Sequence, residues 1–145
     1  MIDRFQLFVT GITECYKHIQ RIKTAEMTEL GLKGTHVMCL FFLHRHPDGL
    51  TAAQLCRVCA EDKAAISRTL KTLKKRGYIV TGEKRYRAAL TLTDEGTRVA
   101  EQLDGLICQW VGVGGDGLTD EERAAFYRAL ERIVDNLRRS METHP

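Results

Sequence analysis

Between residues 48 and 95 the chain carries start and stop signals so closely spaced that only two short helices and a tight hairpin fit between them. Thr51 followed by Gln54 fits a capping box, in which two side chains satisfy orphan backbone N–H groups at a helix start, and predicts a helix over 52–58. Asp62 predicts a second cap, for a helix over 63–76 that Gly77 ends. The β-prone segments 78–81 and 87–92 lie on either side of Gly82, which predicts a two-stranded hairpin, or wing, with a charged tip.

Charge is concentrated in the same stretch. Nine basic residues between positions 63 and 87 (Lys63, Arg68, Lys71, Lys74, Lys75, Arg76, Lys84, Arg85, Arg87) face one acid, Glu83, a net of +8 against +3 for the whole chain. The remainder is therefore mildly acidic, and the molecule is a body with one basic face. A phosphate backbone is the expected partner for such a face.

Elsewhere the pattern is helical. Phe5, Phe8, Ile12, Cys15, Tyr16, Ile19 and Ile22 recur at three- and four-residue spacing among charged residues, predicting a long amphipathic helix. Residues 35–44 are apolar almost all round, predicting a buried helix that ends before Pro47 and Gly49. Thr93, Asp94 and Glu95 open another helix with Val99, Leu103, Leu106, Ile107 and Trp110 on its apolar side, expected to break at the glycines from 112 to 117. Thr119 and Glu122 form a second capping box, starting a last helix with Phe126, Leu130, Ile133, Leu137 and Met141 along one side.

The fold class expected is mainly α with a small β-hairpin wing, a winged helix-turn-helix with terminal helices that dimerise. With 43% apolar residues in 145, the chain is expected to fold as a single unit over 1–145. Within it, 1–30 and 118–145 are the dimerisation helices, 31–97 the DNA-binding core and 94–111 a connecting helix. The first and last helices each carry an apolar stripe, costing about 1.5 to 3 kcal/mol per large side chain left wet. Burial across a two-fold axis, giving a homodimer, is preferred to packing within one chain, because duplex readers commonly space two recognition helices about 34 Å apart. The longest apolar run, residues 37–43, falls far short of the roughly 20 residues a membrane span needs, and residues 1–7 lack a signal-peptide pattern. No membrane partner and a cytoplasmic location are expected.

In the helix over 63–76, Ile66, Leu70 and Leu73 share one face, whereas Ala64, Arg68, Lys71, Thr72 and Lys75 share the other. The first face packs and the second reads. Small residues Ala64, Ala65 and Ser67 let the helix start approach base edges, and Arg68 is suited to a bidentate contact with guanine. Lys71, Lys74 and Lys75 suit phosphates.

The run LTAAQLCRVCAEDKAAISRTLKTLKKRGYI followed by LTLTDEG resembles the winged helix-turn-helix of the MarR (multiple antibiotic resistance regulator) family, closely over about 31–97. The resemblance implies a homodimeric transcription factor, usually a repressor, acting on double-stranded DNA at a pseudo-palindromic operator. It implies that Ser67, Arg68 and Thr72 are among the base-reading positions, and that Lys84, Arg85 and Arg87 serve the wing. In one respect this sequence departs: the family's wing commonly carries an Asp-x-Arg element, while this hairpin reads GEKRYRAAL, shorter and without Asp. The resemblance also implies release by a small phenolic or lipophilic effector held between the dimer helices and the reading core, here near His18, Met38, Phe42 and Trp110.

Five cysteines, an odd number, suit a reducing compartment. Cys56 and Cys59 form a lone CxxC, for which core packing is favoured over thiol sensing and over a metal, since a zinc site needs about two more ligands and no second CxxC or HxxxH is present. Cys15 and Cys108 are alternative sensor thiols, the former because some members of the resembled family sense peroxide through a first-helix cysteine. His44 and His46 at a turn are too little for a metal. Gly112, Gly114, Gly115 and Gly117 follow a helix rather than a strand, so they do not form a phosphate cradle. Neither GxSxG, P-loop nor HExxH is present, and no enzyme, metal or cofactor is expected. The reading is a DNA-binding regulator released by a ligand, with two alternatives: a thiol-based redox sensor of the same fold, and a winged-helix protein-interaction module.

Overall fold

The computed structural model describes residues 2–25, 28, 30–82 and 88–143. Their elements run α1 (Ile2–Ala25), α2 (Gly34–Arg45), α3 (Ala52–Cys59), α4 (Lys63–Lys75), β1 (Ile79–Thr81), β2 (Leu90–Leu92), α5 (Asp94–Gly114) and α6 (Asp120–Thr143). The chain divides into two compact units, Met1–Leu106 and Ile107–Pro145.

The first unit is organised around α2, which is apolar enough to be covered on several sides. It packs against α1, α3, α4 and β2, burying Val37, Cys39, Leu40 and Leu43. Leu55 of α3, Ile66 and Leu73 of α4 and Leu103 of α5 complete the fully buried set. Each such side chain contributes about 1.5 to 3 kcal/mol. The predicted caps are present: Thr51 Oγ1 accepts from the Gln54 amide at 3.2 Å while Gln54 Oε1 accepts from the Thr51 amide at 2.8 Å. After Cys59 the chain turns sharply through Ala60, whose φ of 53° is left-handed.

β1 and β2 pair antiparallel, with Ile79 opposite Leu92 and Thr81 opposite Leu90. The strand predicted from position 87 starts at Leu90, and residues 88 and 89 are irregular. Sequence reasoning missed a further rung outside the hairpin: Leu50 and Leu90 exchange both backbone hydrogen bonds, at 3.1 and 2.8 Å, tying the hairpin to the turn after α2. The backbones approach so closely that a Cβ on Gly49 (φ 90°) would stand 2.8 Å from the Leu90 carbonyl oxygen. Only glycine meets both demands.

The break expected among the glycines from 112 to 117 falls at Gly114, three residues past the end at 111 expected for the connecting helix. α5 runs through Gly105 and Gly112 to Gly114, since a helical glycine costs only about 1 kcal/mol relative to alanine. The chain then turns, with Gly117 at φ 77°. The predicted Thr119–Glu122 capping box then starts α6. α6 buries none of its residues.

Candidate nucleic-acid interface

α4 is fixed before it is charged. Asp62 Oδ1 accepts from the Ala65 amide at 2.7 Å, closing the helix start. Ile66, Thr69, Leu70 and Leu73 are buried against α2, α3 and β1, setting the rotation of the helix. Rotation decides what faces outward. Ala64, Ser67, Arg68, Lys71 and Lys75 are exposed on the opposite side and Thr72 is half-buried, its hydroxyl donating to the Arg68 carbonyl at 3.2 Å. Lys74 is exposed beside them, and Ala65 is half-buried.

Among the described residues these cations are uncompensated. Among the described residues the ion pairs join Arg45 to Asp104, Arg98 to Glu95 and Arg138 to Asp135, so no described acid pairs with Arg68, Lys71, Lys74 or Lys75. An unneutralised cationic stripe along one helix face attracts a polyanion and costs little while solvated. Arg76 differs from its neighbours in the basic window. Its guanidinium donates to the carbonyls of Leu30 and Gly31, at 2.8 and 2.9 Å, and so anchors the end of α4 to the segment before α2. The wing residues Lys84, Arg85 and Arg87 lie outside the described residues.

His36 supports this anchoring region from inside. Its Nδ1 accepts from the Lys33 amide at 2.8 Å at the start of α2. Burial, then the charges of Arg76 and Lys33, hold its pKa below the usual imidazole value. The neutral ring is therefore the form the fold selects.

The residues expected around an effector differ in their settings. Met38 and Phe42 are half-buried in the first unit, His18 is exposed on α1, and Trp110, 37% exposed, belongs to the second unit. A shallow depression on α1 lined by Gln20, Arg21, Thr24 and Ala25 includes none of the four.

Neither member of the CxxC is fully buried: Cys56 and Cys59 are both half-exposed, while Cys15 and Cys108 are exposed. The sequence reading overlooked Cys39, which is 0% exposed and lies with its Sγ 3.9 Å from Cys59 Sγ. Nothing in the local spacing could have paired residues twenty positions apart on different helices. Among the described residues no group of three or more His, Cys, Asp or Glu could hold a metal ion, and no helix is long and apolar enough to cross a membrane.

Comparison with known proteins places this geometry. Residues 30–85 match the model of the MarR family. A MarR protein from Peptoclostridium difficile shares the fold at 21% identity and a TM-score of 0.80, over 92% of this chain and 89% of that one. So does a MarR-family transcriptional regulator from Listeria monocytogenes complexed with 26mer DNA, at 21% identity and 0.76, over 89% and 87%. An S. aureus MepR–DNA complex matches at 17% identity and 0.76, over 88% and 94%.

Proposed function

From a MarR-family segment at residues 30–85, set in the fold of that family's regulators, we propose that this chain is a sequence-specific DNA-binding transcriptional regulator acting as a homodimer. The observation that carries the reading is the exposed row Ala64, Arg68, Lys71 and Lys75, unpaired among described residues, on a helix whose opposite face is locked in the core. In this reading α4 enters the major groove, Arg68 contacts a base with Ser67 and Thr72 beside it, and Lys71 and Lys75 contact phosphates. Lys84, Arg85 and Arg87 are assigned to the wing's contact with the minor groove.

Two-fold pairing is favoured by exposed apolar side chains at both ends of the chain. Phe5 is 71% exposed, with Phe8, Ile12 and Ile19 also exposed along α1, and Leu137 is 58% exposed, with Phe126 and Met141 along α6. Stripes of this kind mark association surfaces. Light scattering at micromolar concentration is expected to give twice the chain mass, and a stable monomer would remove the dimer. The finer reading is a cytoplasmic repressor on a pseudo-palindromic operator, released when a small apolar effector alters the spacing of its reading helices. Titration with phenolic ligands, following melting temperature and duplex affinity together, tests that release.

The decisive experiment selects duplexes on the purified protein and follows their binding against salt. Arg68→Ala is expected to weaken the selected site by about 1 to 3 kcal/mol and relax one base preference, whereas Lys71→Ala weakens all sequences alike and reduces the salt slope. Absence of salt-dependent duplex binding, with indifference to Arg68→Ala, would move the assignment to a protein-interaction module.

A further inference from the structure

Two helices that carry the reading helix meet sulfur to sulfur. Cys39, wholly buried on α2, lies 3.9 Å from Cys59, the half-exposed last residue of α3. We infer that Cys39 and Cys59 form an oxidisable dithiol inside the reading core, closed to an intrachain disulfide by hydroperoxides and reopened by small thiols.

Position divides the two roles. Cys59 sits at the helix end, just before the left-handed Ala60, and is the partly exposed member of the pair. Cys39 has no exposure and can react only with what is already beside it. A disulfide requires the sulfurs at about 2.05 Å. Closing the pair therefore brings the sulfurs, now 3.9 Å apart, about 2 Å closer together.

Electrostatics agree with that division. The Cys39 thiol hydrogen-bonds to the Cys59 sulfur and holds its pKa down, helped by the Lys23 ammonium from α1, while burial and Glu61 act the other way. The same hydrogen bond, with burial, pushes Cys39 up. Cys59 is thus the better thiolate and Cys39 the retained thiol. The Cys59 thiolate attacks one peroxide oxygen, the O–O bond breaks, and the departing alkoxide takes a proton to leave as alcohol or water, giving a sulfenic acid. The Cys39 sulfur then attacks Cys59 Sγ, the S–O bond breaks, and the hydroxide leaves as water with the Cys39 proton. Two thiols lose two electrons and the hydroperoxide gains them.

The other cysteines lack such a partner. Cys56 makes no thiol hydrogen bond among the described residues, and Cys15 and Cys108 are exposed on other helices. Because α2 and α3 both pack on α4, drawing them together displaces the support beneath Arg68. That consequence rests on the DNA-binding reading proposed above; the sulfur chemistry does not.

Tryptic cleavage separates the candidates, since Cys39 falls in peptide 34–45, Cys56 in 46–57 and Cys59 in 58–63. The full chain is treated with cumene hydroperoxide, alkylated, digested and analysed by mass spectrometry, with the duplex affinity of the same samples measured in parallel. The expected result is a 34–45/58–63 species that dithiothreitol removes, retained in Cys56→Ser and absent in Cys59→Ser. Duplex affinity is expected to fall by about tenfold in the wild type and Cys56→Ser but not in Cys59→Ser. A linkage through Cys56, or oxidation confined to Cys15 or Cys108, overturns the dithiol. Linked peptide with unchanged duplex affinity overturns its regulatory role. Linked peptide in a protein that binds no duplex when reduced upholds the dithiol and removes the DNA-binding reading instead.

Discussion

Replacing Gly96 with alanine tests how the wing is joined to the helices. A Cβ at this position would stand 1.9 Å from the Tyr78 carbonyl oxygen and 2.8 Å from its carbon, distances that packed atoms do not adopt. The start of α5 or the backbone at Tyr78 must therefore retreat by about 1 Å or more. That retreat acts on two bonds, the Thr93 amide to the Tyr78 carbonyl at 3.0 Å and the Thr93 hydroxyl to the Gly77 carbonyl at 2.5 Å. Overpacking costs about 1 to 3 kcal/mol and each lost hydrogen bond about 1 kcal/mol, for a total of about 3 to 5 kcal/mol. For a chain of this size, that lowers the melting temperature by about 10 to 15 °C. Gly105→Ala is the control, because its Cβ meets nothing within 4 Å and the helix gains about 0.5 to 1 kcal/mol. Thermal and urea unfolding followed by circular dichroism measure both. A Gly96→Ala protein as stable as Gly105→Ala would refute the close approach and the anchoring drawn from it.

Two further outcomes are expected. Arg76→Ala removes both bonds to the Leu30 and Gly31 carbonyls and is expected to lower unfolding stability by about 1 to 2 kcal/mol while changing the salt slope of duplex binding less than Lys71→Ala does; urea unfolding and salt titration separate the effects. His36 is held below its usual pKa of 6.5, so the unfolded chain binds its proton first: the stability it contributes is full above about pH 6.5 and is lost as pH falls towards the lowered folded value. Unfolding free energies between pH 8 and 5 are expected to decline more steeply in the wild type than in His36→Gln, and equal slopes would remove His36 as the cause.

What the sequence made legible was local. Thr51 with Gln54, Asp62 with Ala65 and Thr119 with Glu122 are cap pairs three residues apart, and such pairs have the same geometry in almost any tertiary setting. The two faces of α4 were equally readable, because helical period alone separates Ile66, Leu70 and Leu73 from Arg68, Lys71 and Lys75. Features that need two distant segments to meet were not readable. The Leu50–Leu90 rung, the Arg76 anchor on Leu30 and Gly31, and the Cys39–Cys59 contact each join residues between 20 and 46 positions apart. The CxxC spacing drew attention to Cys59, but not to the Cys39 sulfur that lies beside it. Residues three apart on a helix share a side, yet the sulfur nearest Cys59 comes from α2 across the packing interface.

The same distinction governs the basic window, where counting charge overstates the interface. Of its nine cations, three lie at the wing outside the described residues, and Arg76 is committed to two backbone carbonyls. Five remain exposed on α4, and of these Arg68, Lys71 and Lys75 lie in line with Ala64. Net charge explains attraction to a polyanion, but attraction is non-directional and falls with salt. Direction comes from the uncharged face: burial of Ile66, Leu70 and Leu73 turns Arg68 to the exposed side of the helix, beside small residues. A substitution that loosens this packing would spare the charge and blur the reading. In the DNA-binding reading proposed above, specificity would therefore depend as much on the buried leucines and the Leu30–Gly31 anchor as on Arg68.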